Sequence, residues 1–237
     1  MPRGRVDAQP AYILHVRPYR ETSLLVEAFS RDYGRVALLA RGARRPHSTL
    51  RGLIMAFQPL ELSWSGKGEV LTLIKAEWQG GQPLLAGQPL FCGYYLNELL
   101  LRLLPREDAH PRLFAHYRNI LRRLGESADR QEMAESGLRS FERALLSELG
   151  YGLTLDRDHL GQPIVAAAHY HYEIERGPVF ATEHDADRPA LAGQSLLDMA
   201  CDDYANAVTR SEAKQLMRRL LAYYLEGVEL HSRTLFI

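Results

Sequence analysis

Between residues 11 and 79 apolar and polar positions alternate with a period of two, and beyond residue 90 the period lengthens to about 3.6. In residues 12–17 (YILHVR) Tyr12, Leu14 and Val16 alternate with Ile13, His15 and Arg17. A second run, Ser23–Ser30, leads through the turn Arg31-Asp32-Tyr33-Gly34 into a third. There Val36, Leu38 and Ala40 oppose Ala37 and Leu39, so both faces are apolar and the strand should be covered on both sides. Residues 60–64 (LELSW) and 69–78 (EVLTLIKAEW) flank the turn Ser65-Gly66-Lys67-Gly68. Five short strands with one longer break before the fourth predict a small closed barrel. The strand count and the position of the break fit an oligonucleotide-binding (OB) fold; an SH3-like barrel is the main rival.

Gln79-Gly80-Gly81-Gln82-Pro83 is the clearest break in the chain. After it, residues 93–104 place Leu96, Leu99, Leu100 and Leu103 on one helical face and stop at Pro105. A second helix starts at His110-Pro111 and ends at Gly125. A third spans 131–149, with Leu138, Phe141, Leu145 and Leu149 as its stripe and Gly150 as the residue that ends it. Such stripes are core, and no function attaches to the leucines. Residues 151–193 read as an irregular insertion in which 165–174 and 177–181 form a hairpin. Thr209 with Glu212 reads as a capping box that opens a last helix carrying Leu216, Leu220 and Leu221. The expected fold is therefore α+β: a five-stranded OB barrel in 1–80, followed by a helical domain in 81–237 that holds the irregular insertion.

Composition refines this picture in one respect. The 237 residues have the 46% hydrophobic and 24% charged content of an ordinary globular protein and a formal net charge of zero. Residues 1–80, however, hold 12 Lys+Arg against 7 Asp+Glu, a surplus of +5 that the rest of the chain cancels. A basic first segment suits a polyanion, and an acidic second segment suits other partners. No apolar run reaches the length of about 20 residues that spans a bilayer, and MPRGRVDAQPAY lacks the apolar block of a secretory signal, so a cytoplasmic location is expected. Cys92 and Cys201 lie far apart in apolar surroundings and read as buried free thiols.

The densest chemistry lies in GRVALLARGARRPHSTLRG, residues 34–52. Arg41, Arg44, Arg45 and Arg51 share a loop with Gly42, Gly52, Ser48 and Thr49, without an acidic residue. Guanidinium forks, hydroxyls and backbone N–H groups at the end of a buried strand suit a phosphate backbone; a solvated turn is the plain alternative. Arg35 shares the parity of Arg41, and Lys67 occupies a turn that borders the binding groove in OB barrels. Tyr33 and Trp64 are candidates for base stacking, although Trp64 has the core parity of Leu60 and Leu62. Phosphate-loop, dinucleotide-binding and nucleophile-elbow motifs are missing from the sequence. His159, His169, His171 and His184 fall within one segment but lack the thiolates of a structural zinc site, so neither a metal nor another cofactor is expected. A histidine-metal hydrolase and an interaction scaffold without nucleic acid remain the alternatives of other classes. Arg139, between Leu138 and Phe141, puts a cation beside an apolar stripe. The three together could take a peptide with apolar side chains and a terminal carboxylate, or Arg139 could simply pair along its own helix.

ETSLLVEAFSRDYGRVALLARGAR, STLRG and FQPLELSWSGKGEVLTLIKAE resemble the OB domain of the RecO family of bacterial recombination mediators. GYYLNELLLRLL, FERALLSELGYG and the closing SRTLF are similar to its helical domain, and the likeness weakens in 151–208. The resemblance implies a non-enzymatic DNA-repair protein. Such a protein binds single- and double-stranded DNA and anneals strands. It docks on the acidic C-terminal tail of single-stranded DNA-binding protein (SSB) and acts with RecR, with or without RecF, to load RecA. By position it implies that Arg35, Arg41, Arg44, Arg45, Arg51 and Lys67 face DNA, and that Leu138, Arg139 and Phe141 take the SSB tail. It implies a cytoplasmic, nucleoid-associated protein. Many relatives carry a four-cysteine zinc module after the GYG segment; here no cysteine lies between Cys92 and Cys201.

Overall fold

The structure, a computed structural model, describes residues 4–126, 130–182 and 189–232, with the side chains of 130–133 left aside. Two compact units divide the chain: 1–130 with 230–237, and 131–229.

The first unit holds five strands: β1 (Val6–Tyr19), β2 (Ser23–Ser30), β3 (Gly34–Ala40), β4 (Leu60–Ser65) and β5 (Val70–Trp78). They close in the order β1-β2-β3-β5-β4, with β1 pairing both β2 and β4. β3 and β5 run parallel, Ala37 opposite Val70 and Leu39 opposite Thr72. This Greek-key closure is the OB arrangement that the strand count foreshadowed. Ile13, Val26, Ala28, Val36, Leu38, Leu62, Trp64 and Leu73 fill the interior. A register shift between Ile13 and His15 reverses the parity of β1. Val16 therefore packs on the same core as Ile13.

The outer face of β1–β2–β3 is buried as well. Helices α1 (Gln88–Leu103) and α2 (Pro111–Glu126) belong to the same unit. Phe114 and Tyr117 of α2 meet Tyr12 and Phe29 at ring-centroid distances of 5.3 to 6.1 Å, and Asn97 of α1 donates to the Leu14 carbonyl at 2.8 Å. Apolar side chains on both faces of one strand are explained by this second layer. The connector from α1 to α2 runs so close to the barrel that a Cβ on Gly34 (φ +64°) would lie 1.8 Å from the Asp108 carbonyl oxygen. Glycine is required there.

The chain returns to this unit at Leu230–Ser232. There the amides of His231 and Ser232 and the Ser232 hydroxyl donate to the Glu98 carboxylate at 3.0, 2.8 and 2.6 Å. Burial pushes the Glu98 carboxyl up, but these hydrogen bonds outweigh it and leave the group below its ordinary range. A lowered folded value stabilises the clasp above the usual glutamate range and releases it as the pH falls through the folded value. The protection of the His231 and Ser232 amides, taken relative to their intrinsic exchange rates, should therefore fall as the pH drops below the usual glutamate range of about 4.3, and Glu98→Gln should abolish that acid step. Equal profiles for the two proteins would reject the clasp.

The second unit contains α3 (Arg130–Glu148), the sheet β7-β6-β8 with β6 (His169–Glu173), β7 (Gly177–Phe180) and β8 (Leu191–Ala192), then α4 (Gly193–Ala200) and α5 (Ala207–Tyr224). α3 ends at Gly150 as expected. The Tyr151 amide reaches the Leu146 carbonyl at 2.8 Å and the Gly150 amide that of Ser147 at 3.1 Å.

Several expectations are corrected. Thr209 is not a cap: Asn206 precedes α5 and accepts from the Val208 amide at 2.9 Å. Thr209 instead bonds Asp198 of α4 at 2.7 Å, and Glu212 holds the Ala192 amide at 3.0 Å. α4 lies at the end of the supposedly irregular insertion. α1 begins five residues before the expected start because Pro89 sits in its first turn, where no N–H is needed. Cys92 is buried, but Cys201 caps the C-terminus of α4 and is exposed.

Candidate nucleic-acid interface

The predicted basic residues fall into three places on the first unit. The arginine loop follows β3, where three inward side chains tether it: Ala43 is buried, and Leu50 and Ile54 pack on the barrel core. Between these anchors the backbone folds into successive turns. Arg45 N–H bonds Gly42 O at 3.0 Å, Ser48 N–H bonds Arg45 O at 3.1 Å, and Arg51 N–H bonds Ser48 O at 3.1 Å. Arg41, Arg44, Arg45 and Arg51 are all exposed. None of them makes an ion pair with a carboxylate among the described residues. A loop with fixed backbone and exposed guanidinium groups is pre-organised for an anion that it does not itself contain.

The loop is joined to the β1–β2 turn. The Arg44 amide donates to the Thr22 carbonyl at 2.8 Å, and Arg44 Nη1 to the Arg20 carbonyl at 3.3 Å. This brings in residues that sequence reasoning missed: Arg17, Tyr19 and Arg20, all exposed. The Arg20 guanidinium lies 5.4 Å from the centre of the Tyr19 ring. Arg20 holds a left-handed backbone (φ +53°), at a cost of about 1–3 kcal/mol, in a turn where glycine or asparagine would be at ease. A strained cation bonded through its carbonyl to Arg44 of the loop fits a charge requirement. Its signal was present in PYRET, but Pro10 and the polar residues around it hid the true length of β1.

Lys67, Tyr33 and Trp64 meet at the other end of the barrel. They border a cavity of about 620 Å³ together with Glu69, Arg106 and Glu107. From Arg35 to Ala40, five strand steps of about 3.3 Å separate this end from the arginine loop by roughly 17 Å. Here cations and carboxylates alternate, so the cavity is a poorer match for a polyanion than the loop. Trp64 is only 2% exposed and belongs to the core, with the half-buried Tyr33 set edge-on to it at 5.4 Å. Trp64 offers no face for a base to stack on, and its parity with Leu60 and Leu62 was the better guide.

Arg35 is in the third place, under the helical layer. Its Nη1 donates to the Leu101 carbonyl and its own carbonyl accepts from Glu107 at 3.0 Å. Burial lowers its pKa. It serves the barrel–helix contact and is half-buried there, with a hydrogen-bond acceptor already in place. Arg106 beside it pairs with Glu27.

In the second unit Leu138 and Phe141 are core side chains, 6% and 1% exposed. Arg139 is also buried and donates to Glu142 at 2.8 Å, with Arg143 and Asp202 paired at 3.3 Å nearby. Burial raises the neighbouring Tyr204 phenol to about 12. Arg139 therefore already has a carboxylate, and the sequence spacing i, i+3 to Glu142 was the sign of it.

His169 and His171 lie two residues apart on β6, and the His159 amide donates to the Pro178 carbonyl of β7 at 2.9 Å. His171 Nδ1 lies 3.1 Å from the Pro189 carbonyl and His169 is exposed. His184 lies outside the described residues, as does most of SRTLF. Among the described residues no three His, Cys, Asp or Glu side chains come together as metal ligands. Among them, too, no helix is long and apolar enough to cross a membrane.

Residues 6–81 match the family model described as Recombination protein O N terminal, and residues 87–234 match Recombination protein O C terminal. The DNA repair protein RecO of Dechloromonas aromatica (strain RCB) is 59% identical over 234 residues, which cover 99% of this chain and 96% of that protein. Those of Aromatoleum aromaticum and Azoarcus sp. (strain BH72) are 56% and 54% identical over 232 and 235 residues, in each case 98% of this chain and 95% of theirs. These names describe repair and recombination, and none of them an enzyme.

Proposed function

Because the chain belongs to the RecO family, and with it to DNA repair and recombination, we propose that it is a mediator that binds DNA through the arginine loop and anneals complementary strands. The observation that carries this reading is the set of exposed guanidinium groups of Arg41, Arg44, Arg45 and Arg51, none in an ion pair with a carboxylate among the described residues, on a loop tied to the turn that holds Arg20. Cations of this kind replace condensed counterions on the sugar–phosphate chain, so affinity falls steeply with salt and sequence matters little. Neutralising two strands on one protein reduces their mutual repulsion and favours pairing without ATP. Exposed Tyr19, beside these cations, replaces Trp64 as the aromatic for stacking. Lys67 contributes at most a separate contact at the far end of the barrel.

Residues 1–80 would supply strand binding, and residues 81–237 the contacts with SSB, RecR and RecF that precede RecA loading on the nucleoid. Docking of the SSB tail at Leu138, Arg139 and Phe141 requires the tail carboxylate to displace Glu142 and the helical core to open.

The test is a fluorescence titration of an oligonucleotide at several salt concentrations. Replacing Arg41, Arg44, Arg45 and Arg51 by alanine should weaken binding at least about tenfold and flatten the log–log salt slope by about 2–3, near 0.7 per lost phosphate contact. An unchanged slope would remove the loop from the interface.

A further inference from the structure

The negative balance of residues 81–237 conceals a local reversal. Between Pro111 and Gly125 the chain has Arg112, His116, Arg118, Arg122 and Arg123 and no acidic residue. α2 sorts them cleanly. Leu113, Phe114, Tyr117, Ile120, Leu121 and Leu124 are buried, with Phe114 and Tyr117 against the barrel, while the five basic side chains are exposed on the opposite arc. Arg112, Arg118 and Arg122 pair with no carboxylate among the described residues. Arg118 and Arg122 stand four residues apart on the helix, a like-charge arrangement that costs a few tenths of a kcal/mol. Nothing in the packing of the helix calls for it.

We infer that the outward face of α2 is a second polyanion surface, which holds the backbone of another nucleic-acid strand while the arginine loop holds the first. This rests on the DNA-binding function proposed above. Two observations select a sugar–phosphate chain over an acidic peptide. The outward arc carries no large apolar side chain, only the exposed Pro111 and the half-buried Ala115, so a peptide anchored by apolar side chains finds little hold. The cations from Arg112 to Arg122 extend over about 15 Å of helix, long enough to meet several successive phosphates. The two surfaces are also separate. α2 packs on Phe29, which pairs with Arg35 at one end of β3, whereas the arginine loop leaves from Ala40 at the other. A chain with one cationic face on the helical layer and another on the loop after β3 can hold two strands at once, which annealing needs.

The experiment uses the full chain and two short non-complementary oligonucleotides, oligo(dT) with a donor dye and oligo(dC) with an acceptor. Energy transfer between them reports both strands on one protein. In Arg112→Gln/Arg118→Gln/Arg122→Gln, affinity for the first strand should stay within about twofold, while capture of the second falls at least about tenfold. The corresponding lysine variant should retain capture. Glutamine keeps helix propensity on an exposed face, and circular dichroism verifies the fold. Undiminished transfer in the glutamine variant would overturn the inference. So would a loss of first-strand affinity as large as that of the loop variant, because the two faces would then be one site. Loss of binding to a polyglutamate peptide alone, with transfer intact, would overturn it in favour of a protein partner. Failure of the loop substitutions to affect DNA is a different result, and it would reject the underlying function instead.

Discussion

Arg139→Ala is expected to destabilise the second unit by about 3–5 kcal/mol, because it takes from the fully buried Glu142 carboxylate the guanidinium that donates to it at 2.8 Å. A residue that only received a peptide from solvent would give a stable variant with lost affinity. Denaturant unfolding should show the midpoint shift, and calorimetry with an SSB-tail peptide should be read only under conditions where the variant is folded. The double variant Arg139→Leu/Glu142→Leu is the informative control, since replacing both charges by apolar groups of similar size should restore most of the loss. An Arg139→Ala protein of unchanged midpoint that no longer binds the peptide would reinstate Arg139 as a docking residue.

Trp64→Ala should cost a comparable amount, about 3–5 kcal/mol, from the cavity it opens in the barrel. Trp64→Phe should cost less because it keeps an aromatic volume. At temperatures where the alanine variant is folded, its DNA affinity and salt slope should match those of the parent. If the variant instead melted like the parent and lost DNA, Trp64 would be a stacking platform after all, and the barrel interior would need another tenant.

What was legible in the sequence is what depends on near neighbours. The alternation of Ser23–Ser30 defined β2 to the residue, and the arginines of the loop announced themselves because they crowd together and face water. What was hidden depends on distant partners. Arg35 and Arg41 share a parity, but only residues more than fifty positions away decide that Arg35 is half-buried and bonded to the Leu101 carbonyl while Arg41 is exposed. Arg139 was equally compatible with a surface pair and a buried one, and the packing of α3 decides between them. α4 was lost because its eight residues open with Gly-Gln-Ser and offer too few turns for a period to emerge. The basic arc of α2 was present in the letters, but the net charge of its half of the chain averaged it away.

The doubly covered sheet also bears on how the protein is made. As the nascent chain leaves the ribosome, β1, β2 and β3 emerge first, with apolar side chains on both sides. The inner set waits for β4 and β5, and the outer set, Tyr12 and Phe29 among it, waits until Phe114 and Tyr117 have been synthesised. Until then the meander is a sticky ribbon with no place to hide either surface. The barrel thus cannot mature ahead of the helices that follow it, and a chain halted at the Gly80-Gly81 break would be a client for chaperones more than a working fragment.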